Sequence, residues 1–136
     1  MAGYSKRALV DKLGLKPGFR MTLVNPPTDY FKMLAPLPPG IQILNKATQD
    51  MDFIHFFTSS RGEYEKKLPG LKKSLKPNGM IWASWPKAAS NVATDVTEKV
   101  VRDFALKNGL VDIKVCAVDE TWSGLKLVIP VKNRNH

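Results

Sequence analysis

The side chains in this sequence best suited to chemistry fall in a few short, separate segments. Ser59, Ser60 and Arg61 put two hydroxyls beside a guanidinium, and Trp85 and Lys87 put an indole near an ammonium. Ser90 follows closely, with Asn91 and Thr94, and Asp119, Glu120 and Trp122 put two carboxylates near a second indole. Asn25 stands ahead of Pro26 and Pro27 at the end of an apolar run. Serines that precede a helix lie beside free N–H groups, which attract an anion. Arg61 and Lys87 add charge-assisted bonds to phosphate or carboxylate. The tryptophans stack on a ring, and the acids take hydroxyls or pair with Arg61 or Lys87. This is the chemistry of holding a small anionic or nucleotide-like ligand. Each residue also has a plain structural use: Ser59 or Ser60 caps its helix, Trp85 and Trp122 cover the core, and Asp119 steadies a turn.

No catalytic set assembles from these residues. His55 is the only internal histidine and lies mid-strand among aromatics, the setting of a hydrogen-bonded core histidine. His136 ends the chain. Asp119 and Glu120 are adjacent, so on an extended backbone they point apart, and metal-ligand spacings are absent. The single cysteine, Cys116, sits in the apolar run IKVCAV and reads as a small core residue; disulfides and cysteine zinc sites within one chain are excluded.

The elements that must position these groups alternate. YSKRALVDKLGL predicts a short helix with Ser5 as N-cap, Ala8, Leu9 and Leu13 on one side, and Gly14 as its stop. MTLVN is a strand that runs into Asn25-Pro26-Pro27, and TDYFKMLAPLPPG gives a turn or two of helix ended by prolines. IQIL and DFIHFF are strands, the second apolar enough to be central and covered on both faces. Tyr64, Leu68, Leu71 and Leu75 lie at helical spacing, with Pro69 predicting a kink or two pieces. Pro77-Asn78-Gly79 reads as a turn before the strand MIWASW. TDVTEKVVRDFALKNG is the clearest helix, with Asp95 and Glu98 at capping-box spacing and Gly109 at its end. VDIKVCAV and GLKLVIPV, joined by a short connection, form an antiparallel hairpin that adds one antiparallel strand at the sheet edge; the tail KNRNH frays.

At 136 residues and 43% hydrophobic, the chain is read as a single domain, 1–136. Alternation of strand and helix predicts an α/β fold: an open, mostly parallel sheet of about six strands, helices on both faces, and the terminal hairpin. In such a sheet ligands sit beyond the carboxyl ends of the parallel strands. This brings Asn25, Ser59 to Arg61, Trp85 to Lys87 and the 119–123 turn to one rim. No apolar run approaches the roughly 20 residues of a membrane span, and MAGYSKRALV has no signal-peptide core. A cytoplasmic protein that does not engage membranes is therefore expected. A net charge of +9 favours anionic partners, among them nucleic acid, or else describes a lysine-rich solubilising surface; composition supplies no patch geometry.

The order LGLKPGFRMTLVN, MDFIHFF, LPGLKKSLKPNGMIWASWPK, helix, hairpin resembles a shortened class I S-adenosylmethionine-dependent methyltransferase fold. LKPNGMIWAS is similar to the turn and strand of that superfamily. At a finer level, WPKAASNVATDVTEKVV and GLVDIKVCAVDETWSGLKLV resemble a family of small bacterial domains of unknown function, which implies the truncated fold and no established activity. The departures weigh against the cofactor. Where the family places a glycine-rich loop after the first strand, this chain has Asn25-Pro26-Pro27, and two prolines donate no N–H. Where an acid would take the ribose hydroxyls, it has Leu44-Asn45-Lys46, with Asp50 too late in the link. The expectation is a non-catalytic, methyltransferase-like binding module for a small anionic ligand or a protein partner at the rim, without a cofactor. An S-adenosylmethionine-dependent methyltransferase with an atypical loop, and an RNA or DNA binder using the basic surface, are the alternatives.

Overall fold

The structure, a computed structural model, describes residues 8–134. Four helices and six strands follow in the order α1 (Leu9–Leu13), β1 (Arg20–Val24), α2 (Tyr30–Leu34), β2 (Gln42–Leu44), β3 (Met51–Phe57), α3 (Arg61–Lys73), β4 (Leu75–Pro86), α4 (Glu98–Lys107), β5 (Val111–Ala117) and β6 (Trp122–Val128). They build one six-stranded sheet in the order β2-β1-β3-β4-β6-β5. β1, β2, β3 and β4 are mutually parallel, and β6 runs antiparallel to both β4 and β5. The expected α/β architecture holds. The antiparallel strand, however, is β6, and it lies inside the sheet rather than at its edge. Burial explains the placement: Leu125, Leu127 and Val128 of β6 are covered, whereas Ile113 and Val115 of β5 stand exposed. The better-buried strand takes the interior place, and the mixed strand takes the edge.

Alternation along the strands divides the core between two faces. Ile54, Phe56, Ile81, Ala83, Trp85, Leu125 and Leu127 pack under α3 and α4, against Tyr64, Leu68, Val101 and Ala105. Phe53, Phe57, Trp82 and Val128 pack under α1 and α2, against Leu13, Tyr30 and Leu34. α1 is pinned by the Trp82 indole, whose Nε1 donates to Leu13 O at 2.8 Å. Gly14 ends α1 in the left-handed region with φ 83. Ala8 stands at its N-cap without a side-chain bond; Ser5 lies outside the described residues. Among the described residues, no helix is long and apolar enough to cross a membrane.

Other expectations need correction. Pro69 neither kinks nor splits its helix: α3 is continuous over 13 residues. Tyr64 and Leu68, both fully buried, hold that face against the sheet, and only the bond that the missing Pro69 N–H would have made is given up. Leu75 belongs to β4, not to the helix stripe. Pro77-Asn78-Gly79 is a bulge within β4, because Met51 pairs with Leu75 and Phe53 with Met80. A Cβ at Gly79 would stand 2.6 Å from Met51 O, so the bulge requires glycine. α4 is capped by Thr97, whose hydroxyl accepts from Val100 N at 3.2 Å, and not by Asp95. The tail turns through a 3-10 helix at Val131–Asn133, and Arg134 Nε donates to Ile129 O.

Candidate functional site at the C-terminal rim

The parallel strands β1, β3 and β4 end at one rim, and β5 points the same way through its two antiparallel pairings. Asn25, Ser59, Ser60, Arg61, Trp85, Lys87, Ser90, Asp119, Glu120 and Trp122 all lie along it. The rim is stitched by backbone bonds, Thr58 N to Ser84 O at 3.0 Å and Lys87 N to Thr121 O at 2.8 Å. Its polar side chains are turned largely onto one another.

At the end of β1, Asn25 takes a left-handed backbone with φ 56. Its amide donates to Phe57 O at 3.0 Å and to Glu63 Oε2 at 3.1 Å, which ties β1 to β3 and α3. The buried Thr58 hydroxyl donates to Glu63 Oε1 at 2.5 Å. These contacts hold the Glu63 carboxyl below its ordinary range: the Thr58 bond acts most strongly, burial opposes it, and the bonds from Lys67 and Asn25 add smaller lowering effects. Ser60 caps α3 by accepting from Glu63 N at 3.1 Å, and Asp95 Oδ1 accepts from Arg61 N at 2.7 Å. The α3 N-terminus is thus already served by a hydroxyl and a carboxylate of the same chain. Thr94 Oγ1 donates to Ser59 O at 2.7 Å and closes the 91–97 loop over the site.

Most of the remaining rim residues are also engaged. Ser90 Oγ donates to Lys87 O at 2.6 Å. Asp119 Oδ1 accepts from Thr121 N at 2.8 Å and Trp122 N at 2.7 Å, so it builds the hairpin turn. Glu120 stands exposed on that turn. Arg61 is exposed and pairs with Glu65 at 3.0 Å. The tryptophans do not share a site: Trp85 lies opposite Ser123 and Trp122 opposite Pro86, so successive register positions put the two indoles on opposite faces. Trp85 is buried under α4, whereas Trp122 meets Phe57 edge-on at 5.1 Å. One ring cannot be clamped between them.

Two clefts open at the rim. One, of about 610 Å³, lies at the ends of β1 and β2 beside α3; Leu23, Val24 and Leu71 give it apolar walls, and Asn45, Lys46 and Lys66 are among its polar lining. The other, of about 510 Å³, lies over Trp85 beneath the 91–97 loop. Glu63 and Asp95 organise the rim and were not singled out as site residues in the sequence, although Ser60 and Glu63 stand at capping-box spacing.

Inside the sheet, His55 is fully buried between Tyr30 OH at Nδ1 and Ser84 Oγ at Nε2, each at 2.8 Å, with Phe57 stacked at 4.1 Å. Burial pushes the imidazole down to about 3 and the Tyr30 phenol well up, so both are neutral near pH 7. This chain is a core network, as expected of His55, and it lies beneath the rim. Cys116 is half-buried, and burial raises its thiol. Among the described residues, no cluster of His, Cys, Asp and Glu can hold a metal.

Similar solved structures include a possible exported protein from Bordetella parapertussis, at TM-score 0.64 and 12% identity over 90% of this chain; the match spans 66% of that protein. An S-adenosylmethionine-dependent methyltransferase from Aquifex aeolicus matches at TM-score 0.62 and 15% identity, over 89% of this chain and 88% of that one. Fibrillarin from Aeropyrum pernix, solved with S-adenosylmethionine bound, matches at TM-score 0.62 and 13% identity, over 89% and 73%. No family model and no curated protein matches the chain. At these identities the likeness shows the fold, which is methyltransferase-like and Rossmann-like.

Proposed function

We propose that this methyltransferase-like fold is a non-catalytic binding module that takes a small anionic, nucleotide-like ligand at the ends of β1 and β2. The observation that carries the reading is the cleft there: apolar walls from Leu23, Val24 and Leu71, with Lys46, Lys66 and Lys67 beside them. Such a lining suits a ring on the walls and a phosphate among the ammoniums.

The residues present do not fit S-adenosylmethionine well enough to derive a methyl transfer through it. Pro26 and Pro27 offer no backbone donors where a cofactor carboxylate would need them, and the Asn25 amide is spent on Phe57 and Glu63. β2 ends at Leu44 without an acid for ribose hydroxyls. Asp50, the nearest acid in the following link, sits instead beside Arg20 and Lys76 at the opposite end of the sheet. A cationic sulfonium also gains nothing from neighbouring lysines.

Calorimetry at low salt with AMP, ADP and S-adenosylmethionine tests the reading. The expected result is nucleotide binding near 100 μM or tighter, about −5.5 kcal/mol, weakened about fivefold or more by Lys46→Ala with Lys66→Ala. S-adenosylmethionine binding at that strength, with none for the nucleotides, would overturn it in favour of a methyltransferase.

A further inference from the structure

A second charged region lies on the other face of the sheet, away from that cleft. The register sets Lys114 of β5 directly opposite Lys126 of β6. Like charges so placed destabilise a strand pair. The C-terminal end of α1 reaches them, with a backbone carbonyl that accepts from one ammonium. Lys114 Nζ donates to Lys12 O at 3.1 Å, and Lys126 Nζ reaches within 3.7 Å of where a Gly14 Cβ would stand. Lys16 follows Gly14 and is exposed. Burial lowers the Lys126 ammonium, and Lys114 and Lys16 lower it further, so the cluster feels itself as a concentration of positive charge. Elsewhere Arg61, Lys67, Lys76, Lys99 and Arg102 form ion pairs with acids, whereas here Lys114 and Lys126 meet each other across two strands. None of the ion pairs between described residues uses Lys12, Lys16, Lys114 or Lys126.

We propose that this face, formed by Lys12, Lys16, Lys114 and Lys126, is a binding surface for nucleic acid through its phosphodiester backbone. The ammoniums come from three segments and lie across open strands, which suits an extended row of phosphates. A lipid surface fits less well. Val115 lies opposite Leu125 and so points to the α4 face, where Leu106 is also exposed. Phe31 of α2 and Ile43, which pairs with Met21, are exposed on the lysines' own side, but Ile43 lies on β2, the opposite edge of the sheet from β5. The protein's net charge of +9 adds long-range attraction of the same sign.

The test is fluorescence anisotropy of the whole chain with a labelled single-stranded RNA and a labelled duplex DNA of about 20 nucleotides or base pairs, from about 50 to 200 mM salt. At least one probe is expected to bind with steep salt dependence. Lys114→Gln with Lys126→Gln is expected to weaken binding about tenfold or more and flatten the salt slope by about 1.4 for the single strand or about 1.8 for the duplex. Because Lys126 is half-buried within the sheet, the pair Lys12→Gln with Lys16→Gln, on and after α1, provides a second reading, with folding checked by circular dichroism. Lys73→Gln with Lys107→Gln removes the same charge from α3 and α4 and is expected to change affinity by less than about twofold. The proposal is overturned by no binding of either probe at low salt, by equal losses in all three variants, or by tighter binding to phosphatidylserine vesicles than to either probe. Loss of nucleotide binding in calorimetry with this surface intact would strike the cleft reading alone.

Discussion

The two faces of the sheet use charge in opposite ways. On the α3 and α4 side each acid meets a donor: Glu63 holds Thr58, Asn25 and Lys67, Asp95 holds the α3 N-terminus, and Arg102 bridges Glu98 and Asp112. On the α1 and α2 side, a buried neutral chain, Tyr30–His55–Ser84, lies beside a cluster of exposed and half-buried lysines. The acids of the first face are satisfied by their own chain, whereas Lys46 and Lys66 at the cleft and the lysine cluster across the sheet use none of the ion pairs between described residues. A site already satisfied by its own chain offers a ligand little, so the unsaturated regions are where binding is to be sought.

Acid separates the faces most strongly. His55 has a folded pKa near 3 against an ordinary 6.5, so its share of stability is fully present above about pH 6.5. Between those values the unfolded chain takes up a proton that the folded chain refuses, and stability falls by roughly 1.4 kcal/mol per pH unit at most. Glu63 has a lowered carboxyl, so its contribution is present above its ordinary 4.5 and is lost only below it. Urea melts from pH 8 to 4.5 are therefore expected to report the α1 and α2 face first, with His55→Gln flattening the profile. An unchanged slope in that variant would show that the buried histidine does not govern acid sensitivity.

A smaller effect comes from packing on the same face. A Cβ at Gly124 would lie 3.1 Å from both Ser84 Oγ and Trp82 Cε3. Gly124→Ala is expected to cost about 2 kcal/mol in denaturant melts by crowding the His55 chain; a cost below about 0.5 kcal/mol would mean that these neighbours yield freely. Least of all, Arg61→Gln removes an exposed helix pair with Glu65 and is expected to shift stability by no more than about 0.5 kcal/mol. A larger loss would show that the α3 entrance depends on that side chain as well as on its backbone N–H.

Local signals in the sequence were sound where they rest on nearest neighbours. Gly14 and Gly109 end their helices at positive φ, and the hairpin forms where a short connection requires it. They misled where a distant contact overrides a local preference. Pro69 is carried within a continuous helix because Tyr64 and Leu68 are buried beside it, and Asp95 leaves the α4 cap to Thr97 because it serves Arg61 across the rim. The candidate site was legible as a set of segments meeting at one rim. Which of its residues face a ligand was not, since Asn25, Ser60 and Asp119 are taken up by backbone and side-chain partners within the fold.

By itself the sequence determined the succession of strands and helices and the net positive charge, because periodicity and composition are properties of the chain alone. Tertiary structure decided the rest. It placed β6 inside the sheet, turned Trp85 and Trp122 to opposite faces, closed Glu63 onto Asn25 and Thr58, and set Lys114 against Lys126. Strand register decides which side chains meet across the sheet, and hydrogen bonds between distant residues decide which polar groups stay free. Neither is a property of any local stretch of sequence.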